Sequence, residues 1–181
     1  EQLTLKVMYL IARAYHDALA AIEAERLDAN VSIKLTGFGL ELDKALCRSL
    51  VEALVEDAAT RGIFVRIDME DSSTTDDTLD LYRALRGAGR DNVGIVLQAA
   101  LRRTLDDIAT LADLLPNVRL CKGIYVEPSS VAFLEPDVIR RSFVACLDAV
   151  LAAGCRVAIA THDEWLLGRA LERVTGLAEG A

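Results

Sequence analysis

Five stretches of this 181-residue chain set a polar or charged side chain at the end of an otherwise apolar run. The first is VSIKL, ending near Lys34. A lysine that closes an apolar strand is costly to bury unless it is paired. Its type and place leave a structural ion pair and a functional role equally open. The second, RIDMED, carries Asp68, the natural neighbour of Lys34 across adjacent strand ends. Such a pair keeps both groups charged and fixes the lysine; a plain interstrand salt bridge is the alternative. Asp71 reads as a helix N-cap and Glu70 as a solvent-facing residue. VGIVLQ ends in Gln98. RLCKGIY puts two cations, Arg119 and Lys122, near one strand end. Gly123 there lets the backbone approach a ligand closely. Tyr125 can stack on a planar ring. This set suits an anionic or electron-rich ligand, with an exposed charged rim as the alternative. In ATHDE, Thr161 and His162 stand where a strand turns into a helix, a place where backbone N–H groups favour phosphate. His162 has no second His or Cys nearby, so a metal site is not expected.

The elements that must position these residues alternate. A helix is expected over residues 3–25, and strands over 31–35, 63–69, 93–98, 117–123 and 156–161. Asp43 caps a helix to Thr60, with Leu46, Leu50, Ala53 and Leu54 on one face. Further helices are expected over 77–86, from a Thr104 cap to Leu115, over 138–153, and from Asp163 to a fade at Gly176. Strands that alternate with helices pair in parallel through right-handed crossovers. Lys34, Asp68, Gln98, Lys122 and Thr161 each close a different strand, as the functional residues of a TIM-type (βα)8 barrel do. An open doubly wound sheet would concentrate its signals at one glycine-rich turn. No GxGxxG or P-loop follows the first strand. The predicted fold is therefore α/β, a barrel in which about five βα units are legible where a complete one has about eight strands. It reads as distorted and truncated, with a lead-in helix over 1–27, a partial barrel over 28–181 and two open sheet edges.

Composition narrows the partners. The net charge of −8 argues against a nucleic-acid surface, which needs a basic footprint. No apolar run is long enough to span a bilayer, which takes about 20 residues. The start lacks the basic region and cleavage site of a signal peptide. It also lacks an initiator Met, as a cut or processed chain would. The four cysteines form no CxxC pair and read as reduced, buried thiols of a cytoplasmic protein.

The motifs VSIKLTGFGLELD, FVRIDMEDSSTTDDTL, VGIVLQAALRRT, NVRLCKGIYVEP and VAIATHDE occur in that order. Together, over residues 28–167, the chain resembles the proline dehydrogenase family, flavoenzymes on a distorted (βα)8 barrel. The resemblance implies FAD as cofactor and L-proline as substrate. It implies oxidation of proline to Δ1-pyrroline-5-carboxylate by hydride transfer to flavin N5, the first step of proline catabolism. Electrons then pass to a quinone, which makes any membrane contact of a cytoplasmic protein peripheral. Asp68 and Arg119 take catalytic roles, Arg119 near flavin N5; Lys34 and Tyr125 take the substrate side. Met69, Gln98, Lys122, Gly123, Ile124, Thr161 and His162 take the cofactor side. The sequence departs from the family at two places. Nothing after Glu164 matches the tyrosine and arginine pair that grip the proline carboxylate; Arg169 and Arg173 are isolated. Ala100 stands where many members carry an aromatic residue. Two other readings follow: a barrel fragment that binds flavin or a partner without turnover, and a Schiff-base aldolase using Lys34 or Lys122. Pairing with Asp68 disfavours the neutral amine that the aldolase needs. Oligomeric state is not legible.

Overall fold

The computed structural model describes residues 2–179, with side chains over 5–176. Glu1, Gly180 and Ala181, at the ends of the two predicted spans, lie outside the described residues. The strands run in the order β1 (Val31–Ile33), β2 (Val65–Ile67), β3 (Val93–Gln98), β4 (Asn117–Cys121) and β5 (Arg156–Ala160) in a five-stranded sheet. β1 with β2, β2 with β3, and β4 with β5 pair in parallel. The chain forms two compact units, Glu1–Ile95 and Val96–Ala181.

The first unit holds α1 (Gln2–Ala24), α2 (Lys44–Thr60) and α3 (Thr75–Gly87). Its strands stack β-branched residues in register: Val31, Val65 and Val93 in one row, Ile33, Ile67 and Ile95 in the next. All six are buried. Alternation turns Ser32, Arg66 and Gly94 to the other face. There the Arg66 guanidinium is buried, lies 4.9 Å from the centre of the Phe64 ring and donates Nη1 to the Ile95 carbonyl at 3.3 Å. Asp43 caps α2 by accepting the Leu46 N–H at 2.9 Å, as predicted. The buried stripe of α2 is Cys47, Val51, Leu54, Val55 and Ala58, not the predicted Leu46, Leu50 and Ala53. That stripe follows i, i+4, i+7, i+8 and i+11, the period of the predicted face turned by one residue.

The second unit holds α4 (Thr104–Leu111), α5 (Pro136–Ala152) and α6 (Glu164–Glu179). Pro136 at the first turn fixes the start of α5 at no hydrogen-bond cost, since that N–H has no intrahelical partner. Thr104 is not a cap but the first residue of α4; its hydroxyl donates to the Gln98 carbonyl at 2.5 Å and ties the helix to β3. Leu115 takes a positive φ of 45° and ends the 3₁₀ turn Ala112–Leu114 that follows α4. α6 runs through Gly176 to Glu179 rather than fading there. Only β3 has its predicted span; the other strands are shorter than predicted. The chain leaves the ladder as a 3₁₀ turn after Lys34 and through Gly123, with its φ of 109°, after Lys122.

Candidate functional site

In the first unit, Lys34 lies one residue past β1 and Asp68 one residue past β2. The last rung between these strands runs from the Asp68 N–H to the Ile33 carbonyl at 2.9 Å. This brings Lys34 Nζ to 3.9 Å from Asp68 Oδ2, the predicted pair. It is a long contact, with the lysine side chain 57% exposed. Lys34 is also the residue before the 3₁₀ turn Leu35–Phe38, and its carbonyl accepts the Gly37 N–H at 3.1 Å. The side chain of Lys34 makes no cap bond to that turn. Glu70 does so from the segment that follows β2. Its Oε2 accepts the Thr36 N–H at 3.0 Å and its Oε1 accepts the Thr36 hydroxyl at 2.6 Å. Glu70 is buried, so its predicted solvent-facing position is wrong. Two charge-assisted bonds to Thr36 offset the cost of burying the carboxylate. Asp71 is an N-cap as predicted, accepting the Ser73 N–H at 3.0 Å. Met69, between the two acids, is buried.

α1 reaches this place as well. The Tyr15 hydroxyl donates to the Ser32 carbonyl at 2.9 Å, and its ring lies 5.4 Å from the Phe38 ring. Burial first, and then the negative charge of Asp68, push the Tyr15 phenol above its ordinary pKa, with Lys34 opposing. A second network fastens α1 to α2: His16 Nδ1 lies 2.6 Å from Asp57 Oδ2, and Arg61 joins Asp57 to Glu23. The bond to His16 is the main reason that the Asp57 carboxyl is held below its ordinary range, with Arg61 adding to it. The sequence reading found no motif in α1. A tyrosine among alanines and leucines, 17 residues before Ser32, carries no spacing signal.

In the second unit, Gln98 is the buried last residue of β3. Lys122 follows β4 and Thr161 follows β5. Lys122 Nζ donates to Asp163 Oδ2 at 3.2 Å, and Arg140 Nε of α5 donates to the same oxygen at 2.8 Å. The Asp163 side chain is 5% exposed. The Arg140 bond, helped by those from Lys122 and the Leu166 N–H, holds the Asp163 carboxyl down at about 2. The Asp163 N–H in turn donates to the Thr161 hydroxyl at 3.1 Å. Sequence reading took Asp163 only as the start of a helix and missed Arg140, 23 residues before it. Arg119 lies within β4, as the predicted strand has it. It is the third residue of β4, in register with Ala158, on the half-buried face with Asn117 and Cys121. Arg119 thus stands two residues before the end of β4 and Lys122 one residue past it. Gly123 at its positive φ lies against Gln98: a Cβ there would sit 2.9 Å from Gln98 Oε1 and 3.3 Å from the Ala100 Cβ. Ile124 is 87% exposed and begins an open loop through Tyr125 and Val126, all three exposed; His162 is exposed as well. Among the described residues no group of His, Cys, Asp and Glu could hold a metal ion, and no helix is long and apolar enough to cross a membrane.

The family profile described as proline dehydrogenase matches residues 3–177. The chain belongs to the proline dehydrogenase family. It is 36% identical over 154 residues to "Proline dehydrogenase 1" of Bacillus subtilis (strain 168), covering 85% of this chain and 51% of that protein. It is also 36% identical over 153 residues to "Proline dehydrogenase" of Deinococcus radiodurans, covering 82% and 49%. The chain thus spans about half the length of the curated relatives that it matches. Among solved structures it is similar to proline utilization A (PutA) from Bdellovibrio bacteriovorus inactivated by N-propargylglycine. The TM-score is 0.85 at 20% identity, over 96% of this chain and 23% of that one. A PutA mutant from Bradyrhizobium japonicum gives a TM-score of 0.82 at 19% identity, over 93% and 21%. These likenesses fix the fold, a parallel α/β arrangement of the TIM-barrel kind. For a proline dehydrogenase family chain, the strand ends are where functional residues are sought. Lys34, Asp68, Gln98, Lys122 and Thr161 stand at five of them.

Proposed function

We propose that this chain carries the flavin-binding side and part of the substrate side of an FAD-dependent proline dehydrogenase. The observation that carries the reading is the strand-end placement of Lys34, Asp68, Gln98, Lys122 and Thr161, one at or just past the end of each strand. The donor set suits a flavin. Gln98 offers a buried amide that can both donate and accept, as a pyrimidine edge requires. Arg119 and Lys122 offer positive charge toward an electron-rich ring. Thr161 and His162 lie just before α6, on the approach to a helix N-terminus, where a phosphate is favoured. Met69, Gly123 and Ile124 complete the cofactor side of the proposal, with Tyr125 toward the substrate.

When bound, FAD would supply the two-electron acceptor for a hydride from the proline ring carbon beside nitrogen. The chain's own residues would orient and polarise. Lys34 presents an exposed ammonium to a small amino acid. A fixed positive charge disfavours a second one close by, and so favours the neutral ring amine, the form from which a hydride can leave. Asp68 limits where that ammonium can sit. Loss of the hydride and of the N–H proton leaves the C=N bond of Δ1-pyrroline-5-carboxylate. A quinone would take the electrons onward, at most through peripheral contact with a membrane, in a cytoplasmic protein. Residues 1–27 would serve as a lead-in helix to the catalytic part.

The absorbance spectrum before and after addition of L-proline tests this. A flavin band that bleaches without oxygen is the expected result. A correctly folded protein that takes up no FAD would sink the proposal. A flavin band that proline leaves unchanged would favour a second reading, a fragment that binds flavin without turnover. That reading is supported by the span of about half the relatives' length and by Arg169 and Arg173 of α6 being taken up by Glu172 and Asp148.

A further inference from the structure

We infer that Glu70 is a positioning residue that sets the affinity for the amino-acid substrate by fixing the turn on which Lys34 stands. The inference rests on the proposed substrate role of Lys34. A 3₁₀ turn leaves its first N–H groups without partners inside the turn. The residue before the turn, Lys34, offers no side-chain cap. Glu70 fills that need from the segment after β2, taking the Thr36 N–H at 3.0 Å and the Thr36 hydroxyl at 2.6 Å on separate oxygens. Both donors belong to one residue, two positions after Lys34, so the clamp fixes the direction as well as the place of the turn. On the other side of Lys34, the Ser32 carbonyl takes the Tyr15 hydroxyl at 2.9 Å and the Ile33 carbonyl takes the Asp68 N–H at 2.9 Å.

The ion pair cannot do this work. At 3.9 Å and with the lysine 57% exposed, Asp68 restrains the ammonium only loosely. The backbone therefore determines where the lysine starts, and the acid determines only part of its sweep. One extended segment carries both controls: Asp68 acts on the side chain of Lys34, and Glu70, two residues on, acts on its turn. Two further bonds close the turn on itself: the Gly39 and Leu40 N–H groups donate to the Thr36 and Leu35 carbonyls at 3.0 and 3.1 Å. A loosened Thr36 would thus let the closed turn shift as one piece, moving Lys34 without unfolding the unit.

Three variants of the flavin-loaded protein test this: Glu70→Gln, Glu70→Ala and Thr36→Val. Glutamine can accept from one donor but presents an NH2 group to the other. Thr36→Val keeps the N–H bond and loses the hydroxyl bond. The expected result is a KM for L-proline raised on the order of tenfold in Glu70→Ala, with smaller rises in the other two. FAD content and kcat should stay within about twofold. A purely structural role would lower flavin content and kcat together instead, and that outcome overturns the inference. So does an unchanged KM in all three variants. If Glu70→Ala does not fold, Thr36→Val decides by the same KM criterion. Hydrogen exchange at the Thr36 amide separates this inference from the function it rests on. Wild-type protein that never oxidises proline refutes the proposed function. Exchange at Thr36 that is as slow in Glu70→Ala as in wild type refutes the clamp, whatever the activity.

Discussion

Two lysines close strands in this chain, one in each unit, and they are held in opposite ways. Lys34 stands on a clamped backbone with a loosely held charge, 3.9 Å from Asp68. Lys122 has its charge held, 3.2 Å from an Asp163 oxygen that Arg140 also takes at 2.8 Å. An exposed ion pair contributes at most about 1 kcal/mol. A hydrogen bond to a charged group contributes about 1.5–3 kcal/mol. At Lys34 the stronger term therefore acts on the backbone through Glu70, and the ammonium stays free to turn toward an arriving anion. At Lys122 two cations share one nearly buried carboxylate, leaving a local surplus of positive charge in fixed geometry. In the proposed function this is the difference between a substrate that comes and goes and a cofactor that stays.

The largest effect that would break this comparison is expected at Asp163. Asp163→Asn removes the shared negative charge and loosens the hold on both cations. FAD affinity should fall on the order of a hundredfold, read by titration of the stripped protein. Retention of wild-type affinity would mean that Lys122 is not held for the cofactor. Acid sharpens the test. The folded carboxyl sits at about 2, below its ordinary 3.8. A depressed carboxyl contributes stability that is fully present above the unfolded value and is lost as pH falls through the folded one. Wild type should thus exceed Asp163→Asn in stability at pH 5, with the gap closing between roughly pH 4 and pH 2. Denaturation midpoints at several pH values measure it. A gap that is constant with pH would show that the pair does not titrate as a unit.

At Lys34 the expected effect is smaller and of another kind. Lys34→Met keeps the stem but removes the charge. KM for L-proline should rise about tenfold, the loss of one charged contact. FAD content should not change, and stability should shift by no more than about 0.5 kcal/mol, since the side chain is mostly exposed. Asp68→Asn should act in the same direction and less. A fall in flavin content in Lys34→Met would erase the distinction between the two lysines.

Much of this difference could not be read in the sequence. Strand ends were legible because Lys34, Asp68, Gln98, Lys122 and Thr161 each interrupt an apolar run. The pairing of Lys34 with Asp68 was legible from adjacent parallel strands; its 3.9 Å length was not. Glu70 was misread, although a residue two after Asp68 shares its face in an extended chain, and that alternation was the available signal. The strand holding Arg119 was legible, but its end was not: β4 stops at Cys121, two residues past Arg119, and the chain turns away through Gly123 with its positive φ. Arg140 lies mid-helix with no periodic mark, and only the tertiary fold brings it to Asp163. Side chains that complete a site from another element carry no local spacing, and Tyr15 and Arg140 are of this kind.

Gly123 gives a third and smaller test, on the second unit alone. Its φ of 109° disfavours any side chain, and a Cβ would stand 2.9 Å from Gln98 Oε1. Gly123→Ala should cost about 1–3 kcal/mol in denaturant unfolding. It should also push the Gln98 carboxamide aside and shift the absorbance of bound flavin. Gly39 of the first unit offers the control: its φ is 85°, and the atoms that a Cβ would meet belong to the flexible Met8 side chain. Gly39→Ala should destabilise the protein and leave the flavin spectrum as it is. Equal spectral shifts in both variants would remove the special place of Gly123.

Thiol reactivity gives the smallest effect and needs no cofactor. Cys47 in the first unit is fully buried, and burial, reinforced by Asp43, Asp77 and Glu70, pushes its thiol up to about 12. Cys146 in the second is likewise buried and pushed up to about 11 by burial, with Ser142 opposing. Cys121 is only half-buried on the face of β4 that it shares with Arg119, its Sγ 3.6 Å from the Leu97 carbonyl. Only thiolate attacks a disulfide reagent, so a thiol near 12 is almost silent at pH 8. In native protein at pH 8, Cys121 should react first and Cys47 slowest, with all four reacting once the chain is unfolded. Peptide mapping of the modified protein reads the order. If FAD lies along the Arg119 face, its binding should slow Cys121 and leave Cys47 unchanged. A Cys121 rate that FAD does not alter would move the flavin off that face of β4 and leave Arg119 without its proposed role.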